Sequence, residues 1–240
     1  MPNAVLSDLH GNLEALETVL ADLDRRGVER VACLGDFVGY GASPNECIDR
    51  LRPCLDVAVA GNHDLAACGR IKLGYFHEDA ATAARWTDIQ LTPANREYLV
   101  GLPLEVVWLG MRLVHSSPAE PHAWHYVLSI EDAREEMNAF EEPVCLIGHS
   151  HVPGAFTRSG DSVTYSRDAE VRIAPGRRYL VNVPSVGQPR DGDPRAGYLL
   201  VDGPGRLEQV RLEYDVSRAA ERIRTAGLPP FLGERLRWGE

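Results

Sequence analysis

The chain has 240 residues, 44% of them hydrophobic and 25% charged, a balance that excludes an intrinsically disordered chain and a disulfide-dependent miniprotein. Lysine and arginine number 25 against 35 aspartates and glutamates, a formal net charge of -10, so most of the surface repels nucleic acid and any phosphate chemistry must rest on locally positive charge. The five cysteines (Cys33, Cys47, Cys54, Cys68, Cys145) are odd in number and form no C-x-x-C. No basic leader precedes a long apolar run, and no stretch nears about 20 apolar residues, so the expectation is a soluble cytoplasmic protein without membrane contact.

Ala4-Val5-Leu6 is a short apolar run, and Leu13, Leu16, Leu20 and Leu23 then recur at helical spacing until Gly27; this reads as strand, loop and helix. Val31 to Leu34 repeats the strand, and Ser43-Pro44-Asn45-Glu46 has the S-x-x-E pattern of a capping box with proline at the first helical position. Val57-Ala58-Val59 opens a third unit, and this alternation predicts parallel strands joined by crossover helices. Residues 78 to 101 read as two helices, the second starting at Thr92-Pro93. Glu105 to His115 reads as a hairpin turning at Gly110, followed by a helix capped near Ser129 and a buried strand over Val144 to Ile147. Beyond His151, short strands are expected around 154 to 165, 178 to 183, 197 to 202 and 206 to 213, with a last helix from about Asp215. Neither a duplication nor a linker divides the chain, so a single domain over residues 1–240 is expected, a β-α-β half packed on a β-rich half.

The chemistry-bearing residues cluster where strands end. Asp8 and His10 form a D-x-H after the first strand, and in extended chain this spacing directs both side chains to one side. Asp36 follows the second strand in Gly35-Asp36, and Asn62 and His63 follow the third in Gly61-Asn62-His63-Asp64. His115 ends the hairpin, and His149 and His151 sit in Gly148-His149-Ser150-His151. Loops after the carboxyl ends of parallel strands share one edge of a sheet, so these groups can converge there. A carboxylate can bridge two cations where an imidazole binds one, which makes Asp36 the candidate bridge. Two divalent ions against the carboxylates of Asp8 and Asp36 leave a positive site, able to draw a phosphate anion and acidify a water. Ser150 in G-H-S-H-V lacks the second glycine of a nucleophile elbow and has no histidine further downstream than its neighbour His151, which excludes that serine-hydrolase arrangement.

The ordered set D-x-H, G-D, G-N-H-D, a lone histidine and G-H-S-H, from Asp8 to His151, resembles the calcineurin-like metallophosphoesterase family. The run from Gly35 to Gly41 leading into Ser43-Pro44-Asn45-Glu46, and Val186 to Gly192, resemble its bacterial phosphodiesterase branch, which includes enzymes acting on diadenosine tetraphosphate. The resemblance implies an α/β fold, a four-layer αββα sandwich of two mixed β-sheets flanked by helices. It implies two divalent metal ions, with Mn, Fe or Zn suited to the mixed donors: Asp8, His10 and His151 on one, Asn62, His115 and His149 on the other, and Asp36 between them. It also implies His63 as the catalytic histidine that binds no metal and, as a cationic imidazole, assists the basic leaving oxygen, with Arg190 as a substrate contact; Tyr40, close in sequence to Asp36, is read as a substrate contact or an ordinary packing residue. The expected reaction is attack of metal-bound hydroxide on a small phosphodiester or dinucleoside polyphosphate. Phosphomonoester hydrolysis and a non-catalytic scaffold, as in the retromer coat subunit, are the alternatives. Gly39 and Tyr40 stand where protein Ser/Thr phosphatases carry Asp and Arg, which speaks against that activity. Asn182-Val183-Pro184-Ser185 replaces the branch's N-P-G-S, and proline cannot take a glycine's positive φ, so a different loop path before Arg190 is expected. His122 and His125 are read as a surface cluster or a pocket lining, and His77 as structural.

Overall fold

The structure, a computed structural model, describes residues 2–203 and 205–240. The first apolar run forms β1 (Asn3–Leu6) and the leucine-spaced segment forms α1 (Leu13–Arg26). Asn12 caps α1 by accepting the Ala15 N–H, and Gly27 ends it at φ 64°, a conformation that costs glycine little. The unit repeats as β2 (Arg30–Cys33) with α2 (Pro44–Leu51) and β3 (Leu55–Ala58) with α3 (Asn62–Ala67). Helices α4 (Glu78–Gln90) and α5 (Pro93–Val100) precede the hairpin β4 (Glu105–Trp108) and β5 (Met111–Val114). Then come α6 (Ile130–Glu136) and β6 (Val144–Ile147). The β-rich half contributes β7 (Gly154–Ser159), β8 (Ser162–Ser166), β9 (Glu170–Arg172), β10 (Arg178–Asn182), β11 (Ala196–Asp202) and β12 (Arg206–Leu212). Helices α7 (Val216–Thr225) and α8 (Pro230–Glu234) follow.

Two caps behave differently from one another. Ser129 and Asp132 form a reciprocal capping box at α6. Ser43, expected to do the same at α2, makes no side-chain bond; that start rests on Pro44, which has no N–H to satisfy. Segment 154–165 is a hairpin of β7 and β8, and the three-residue β9, unexpected from its pattern, pairs with β12.

Among the described residues the strands form two six-stranded mixed sheets, β3-β2-β1-β11-β12-β9 and β4-β5-β6-β10-β7-β8. Alternation along β1 explains the layering. Val5 faces the second sheet with Leu34, Leu113, Leu146, Val181 and Leu199, while Ala4 and Leu6 face the helix layer with Leu16, Val19 and Leu51. The other face of the second sheet, through Val114, Cys145 and Ile147, packs on Met137 and Phe140 around α6. The result is the expected helix, sheet, sheet, helix order. No helix among the described residues is long and apolar enough to cross a membrane.

This topology positions the site. Strands β1, β2 and β3 run parallel in one sheet, and β5, β6 and β10 run parallel in the other. The turns after these strands interlock: Asp8 N–H donates to Gly35 O (3.1 Å), Gly148 N–H to His115 O (2.8 Å) and Val186 N–H to Ser7 O (2.9 Å). The last bond ties the loop after β10 to the loop after β1, across the two sheets.

Candidate metal centre and its cleft

The strand-end residues converge through an unusual backbone. Asp8 (φ 54°), His10 (49°), Asp36 (52°), Tyr40 (60°), His149 (65°) and His151 (58°) all lie in the left-handed region, which is uncommon outside glycine, although Asp and His enter it more readily than most residues. Asp8 and His10 therefore do not share a side by strand alternation, as their spacing suggested. Each is turned inward by its own left-handed residue.

The result is a buried donor cluster. His10 Nε2 lies 3.6 Å from Asp36 Oδ2 and 3.1 Å from His151 Nε2, and His151 Nε2 lies 3.4 Å from Asp8 Oδ1. His115 Nε2 lies 3.3 Å from Asp36 Oδ2. Two groups of atoms are spaced to hold metal ions, Asp8, His10, Asp36 and His151 in one and Asp36, His115 and His149 in the other; Asp36 belongs to both. Asp8 Oδ2, Asp36 Oδ2, Asn62 Oδ1 and His115 Nε2 are buried without a hydrogen-bond partner. Leaving several such groups dry and unpaired is costly, and a cation accepting their lone pairs would remove the cost. The donor set thus fits divalent metal.

Protonation supports this. His10 Nδ1–H donates to Val38 O (3.1 Å), His115 Nδ1–H to Leu34 O (2.7 Å) and His151 Nδ1–H to Gln188 O (2.5 Å). A carbonyl only accepts, so each bond places a proton on Nδ1, and in the neutral ring Nε2 is the inward lone pair. His149 is reversed: Nε2–H donates to Trp124 O (3.0 Å), freeing Nδ1. Burial holds His10 and His151 well below the usual histidine range and pushes His149 down to about 3, keeping all three in the neutral form that binds metal. Burial also acts against His115, but Asp36 and Asp8 outweigh it and raise that imidazole to about 9. The pull that holds a proton there is the pull a cation would feel. Burial raises Asp8 to about 6, whereas the charge of His115 and His63 overcomes burial at Asp36 and holds it below the carboxylate range.

His63 sits beside this cluster. Its backbone N–H donates to Asp36 Oδ1 (2.8 Å), and its ring packs edge-on to His10 (centroids 4.9 Å) and against Tyr40 (4.4 Å). Burial lowers its pKa to about 4. Asn62 and His63 lie in the first turn of α3, where the loop after β3 was expected to continue. Arg190 reaches the same place despite Pro184: its Nη2 donates to Gln188 Oε1 (2.7 Å) and Tyr40 Oη (3.3 Å).

Several residues that hold the site carry no expectation from sequence. Asp64 accepts the N–H groups of Asp36 (2.8 Å), Gly61 (3.0 Å) and Val38 (3.2 Å), pinning the Asp36 turn. Ser185 Oγ donates to Asp8 O (2.9 Å) and accepts the Gln188 N–H (2.9 Å), linking the Asp8 turn to the loop that orients His151. Asp64 completes the G-N-H-D run and Gln188 lies in the run from Val186 to Gly192, so a signal existed for both, though not for their roles.

An open cleft of about 730 Å³ adjoins His63 and His149. Its walls are aromatic and cationic, including Tyr75, Phe76, Trp124, Arg70, Arg190 and Arg235. His122 and His77 line it, which resolves His122 toward the pocket; His125 is exposed, 3.6 Å from Glu120. Tyr126 stacks on His149 with ring centroids 4.1 Å apart.

Residues 1–204 match the model of the calcineurin-like phosphoesterase superfamily domain. The chain is 39% identical over 238 residues to a Methanocaldococcus jannaschii protein called uncharacterized protein MJ0912, covering 97% of this chain and 96% of that one. Among solved structures it is similar to a metallophosphoesterase from Sphaerobacter thermophilus, with TM-score 0.87 and 37% identity, covering 100% of this chain and 99% of the other. Hypothetical protein PH1004 from Pyrococcus horikoshii shares the fold at TM-score 0.80 and 21% identity, over 100% and 98% of the two chains.

Proposed function

Because the chain belongs to the calcineurin-like phosphoesterase superfamily, we propose that it is a dinuclear metal-dependent phosphoesterase acting on small phosphodiesters or dinucleoside polyphosphates. The observation that carries the reading is the Asp36 carboxylate, common to both groups of donor atoms and left with a buried, unpaired oxygen. Asp8, His10 and His151 would hold one ion with Asp36, and Asn62, His115 and His149 would complete the second. Mixed nitrogen and oxygen donors suit Mn, Fe or Zn. Bound there, such ions acidify a water and withdraw charge from a phosphoryl group.

The chain's own groups do the rest. His63 borders the cluster on the cleft side and is the group positioned to support the leaving oxygen. It is neutral in the free site, so the cationic imidazole expected from sequence requires the negative charge of an arriving phosphate to raise its pKa. A neutral ring N–H can still donate a hydrogen bond to the departing oxygen. Tyr40 packs on His63, and Arg190 is braced by Tyr40 Oη, so both face a phosphate leaving the centre.

The test is metal analysis of purified protein together with hydrolysis of bis(p-nitrophenyl) phosphate before and after chelation. About two ions per chain and activity that falls on chelation and returns with Mn²⁺ are expected. Full activity in metal-stripped protein would overturn the reading.

A further inference from the structure

Of the four imidazoles in the donor cluster, three are braced from inside the fold. Val38 O, Leu34 O and Gln188 O hold His10, His115 and His151 by Nδ1–H through buried bonds. His149 differs in both respects. Its outer nitrogen is Nε2, and the carbonyl it meets, Trp124 O at 3.0 Å, belongs to the segment between β5 and α6 that walls the cleft. The local backbone aims this carbonyl: a 3₁₀ turn over Pro121–Ala123 places the Ala123 N–H on Glu120 O (2.9 Å), and Trp124 follows at φ 59° and ψ 35°, a left-handed conformation that bulky side chains rarely adopt. From Trp124 to Val127, among the described residues, the bond from His149 is the only backbone hydrogen bond to another element. Val127 anchors the far end of the segment in the apolar layer with Met137 and Phe140, and His149 is its other attachment.

Two residues further on, the Tyr126 ring lies on the His149 imidazole, with centroids 4.1 Å apart and planes 17° from parallel. Tyr126 stays 49% exposed while His149 is 5% exposed, so the stack shields the imidazole far more than it buries the phenol. The two contacts act on different freedoms of one ring. The bond to Trp124 O fixes which nitrogen carries the proton, but the imidazole can still rock about the Nε2–H direction, and a stacked ring opposes that motion. The Trp124 ring also approaches His115 edge-on, with centroids 6.1 Å apart. Both histidines of the second donor group thus meet this one segment; among the described residues neither His10 nor His151 has a hydrogen bond or ring contact with it. We propose that Trp124 and Tyr126 are positioning residues for His149, holding its Nδ1 toward Asp36 and His115, so that the affinity of the second ion is set from the cleft wall while that of the first is set by the interior frame. The inference rests on the dinuclear reading for the ion, and on the geometry of the cleft wall alone for the placement of the ring.

The experiment titrates metal-stripped wild type, Tyr126→Ala, Tyr126→Phe and His125→Ala with Mn²⁺, by calorimetry and by electron paramagnetic resonance, in which two ions sharing a carboxylate give a spin-coupled signal and a lone ion does not. Tyr126→Ala should bind one ion as wild type does, which also shows that it is folded, and the other about tenfold or more weakly, with the coupled signal lost at two equivalents. Tyr126→Phe keeps the stack and should restore both. His125, exposed on the same segment between the two positioning residues, should have no effect when replaced. In parallel, long-range ¹H–¹⁵N spectra of the proteins in EDTA read the histidine tautomers, with His149 assigned by its absence from His149→Gln; wild type should show a single Nε2–H form and Tyr126→Ala a mixture. Equal weakening of both ions, weakening of neither, or a Tyr126→Phe protein that binds like Tyr126→Ala overturns the proposal. A wild type that takes up fewer than two ions overturns the dinuclear reading instead. The spectra then decide the positioning alone: an Nε2–H form lost in Tyr126→Ala supports it, and an Nδ1–H form in wild type or an unaltered pattern in the variant overturns it.

Discussion

Asp64→Asn tests whether the candidate metal centre is held in place before any ion arrives. Asp64 Oδ2 accepts the N–H groups of Asp36 (2.8 Å) and Gly61 (3.0 Å), and Oδ1 accepts that of Val38 (3.2 Å). Burial and the neighbouring Asp36 charge push this carboxyl up to about 8 even though the N–H groups of Gly61 and Val38 lower it, so the stability comparison is made at about pH 9, where the group is the anion. An asparagine keeps one acceptor oxygen, which can serve Asp36 and Gly61, but it turns an NH₂ toward the Val38 N–H. One bond is lost, two lose charge assistance, and two donors face each other without water. Hydrogen bonds to charged groups contribute about 1.5–3 kcal/mol and a buried unsatisfied donor costs about 1–3, so a loss of roughly 2–4 kcal/mol is expected, a large part of a domain's roughly 5–15. Urea unfolding in EDTA measures this, and at a slope of roughly 2–3 kcal/mol per molar the midpoint should fall by roughly 1 M. Calorimetric titration with Mn²⁺ should show about 10–100-fold weaker binding, the usual effect of removing a group that orients a metal ligand. A variant within about 0.5 kcal/mol of wild type and with unaltered metal affinity would refute the argument that Asp64 positions Asp36.

Removing the shared carboxylate should differ from removing an outer donor: Asp36→Asn should lose both ions in elemental analysis, and His149→Ala chiefly one. His63→Ala should keep near-normal metal content while turnover falls about 10²–10⁴-fold; metal lost along with activity would identify His63 as a ligand. The metal-free protein should be most stable near pH 6.5. The depressed pKa values of His10, His63, His149 and His151 mean that the unfolded chain binds more protons below the ordinary histidine value of 6.5, so stability falls as pH drops toward about 4; Asp8, raised to about 6, and Asp64, raised to about 8, oppose this in part, and Asp64 adds to the loss of stability between pH 6.5 and 8. His115, raised to about 9, contributes stability that is complete below 6.5 and is lost as pH rises through 9, so urea midpoints in EDTA from pH 4 to 10 should peak and His115→Gln should flatten the alkaline side. Gly61→Ala is a steric test, because Gly61 has an ordinary extended backbone but an added Cβ would overlap Asp36 Oδ1; it should weaken Mn²⁺ binding, and normal affinity would mean that the Asp36 carboxylate is free to move.

What could be read from sequence, and what could not, divides along a physical line. Val5, Ala32, Leu146 and Val181 lie in strands buried on both faces, so apolar runs marked them, and α1 announced itself through leucine spacing and Gly27. The donors were legible because few folds need Asp, Asn and His at so many strand ends. Their tautomers were not, since Val38 O, Leu34 O, Gln188 O and Trp124 O are backbone atoms that any residue supplies. Asp64 and Ser185 were opaque for a related reason: each serves backbone groups distant in sequence. The cleft was the least legible, because Phe76, Trp124, Arg190 and Arg235 come from four separated segments and meet only in the folded chain.

The left-handed turns explain why convergence and stability are in tension here. Non-glycine residues in that region cost of order 1–3 kcal/mol each, and Asp8, His10, Asp36, His149 and His151 are all donors as well as left-handed. Glycine would relieve each strain but delete the ligand. The cost must therefore be offset by the surrounding frame, which the bonds from Ser185 to Asp8, from the Asp36 N–H to Asp64, and from His149 N–H to Asp8 Oδ1 (3.1 Å) supply. Burying two carboxylates adds a second cost, electrostatic rather than steric, which the protonated His115 offsets at Asp36 but only in part at Asp8, still raised to about 6. Divalent cations would cancel what remains of that second cost, so folding of this chain and occupancy of the candidate centre would be coupled: the framework offsets the strain of the turns, and bound ions would stabilise the charges that the turns bring together.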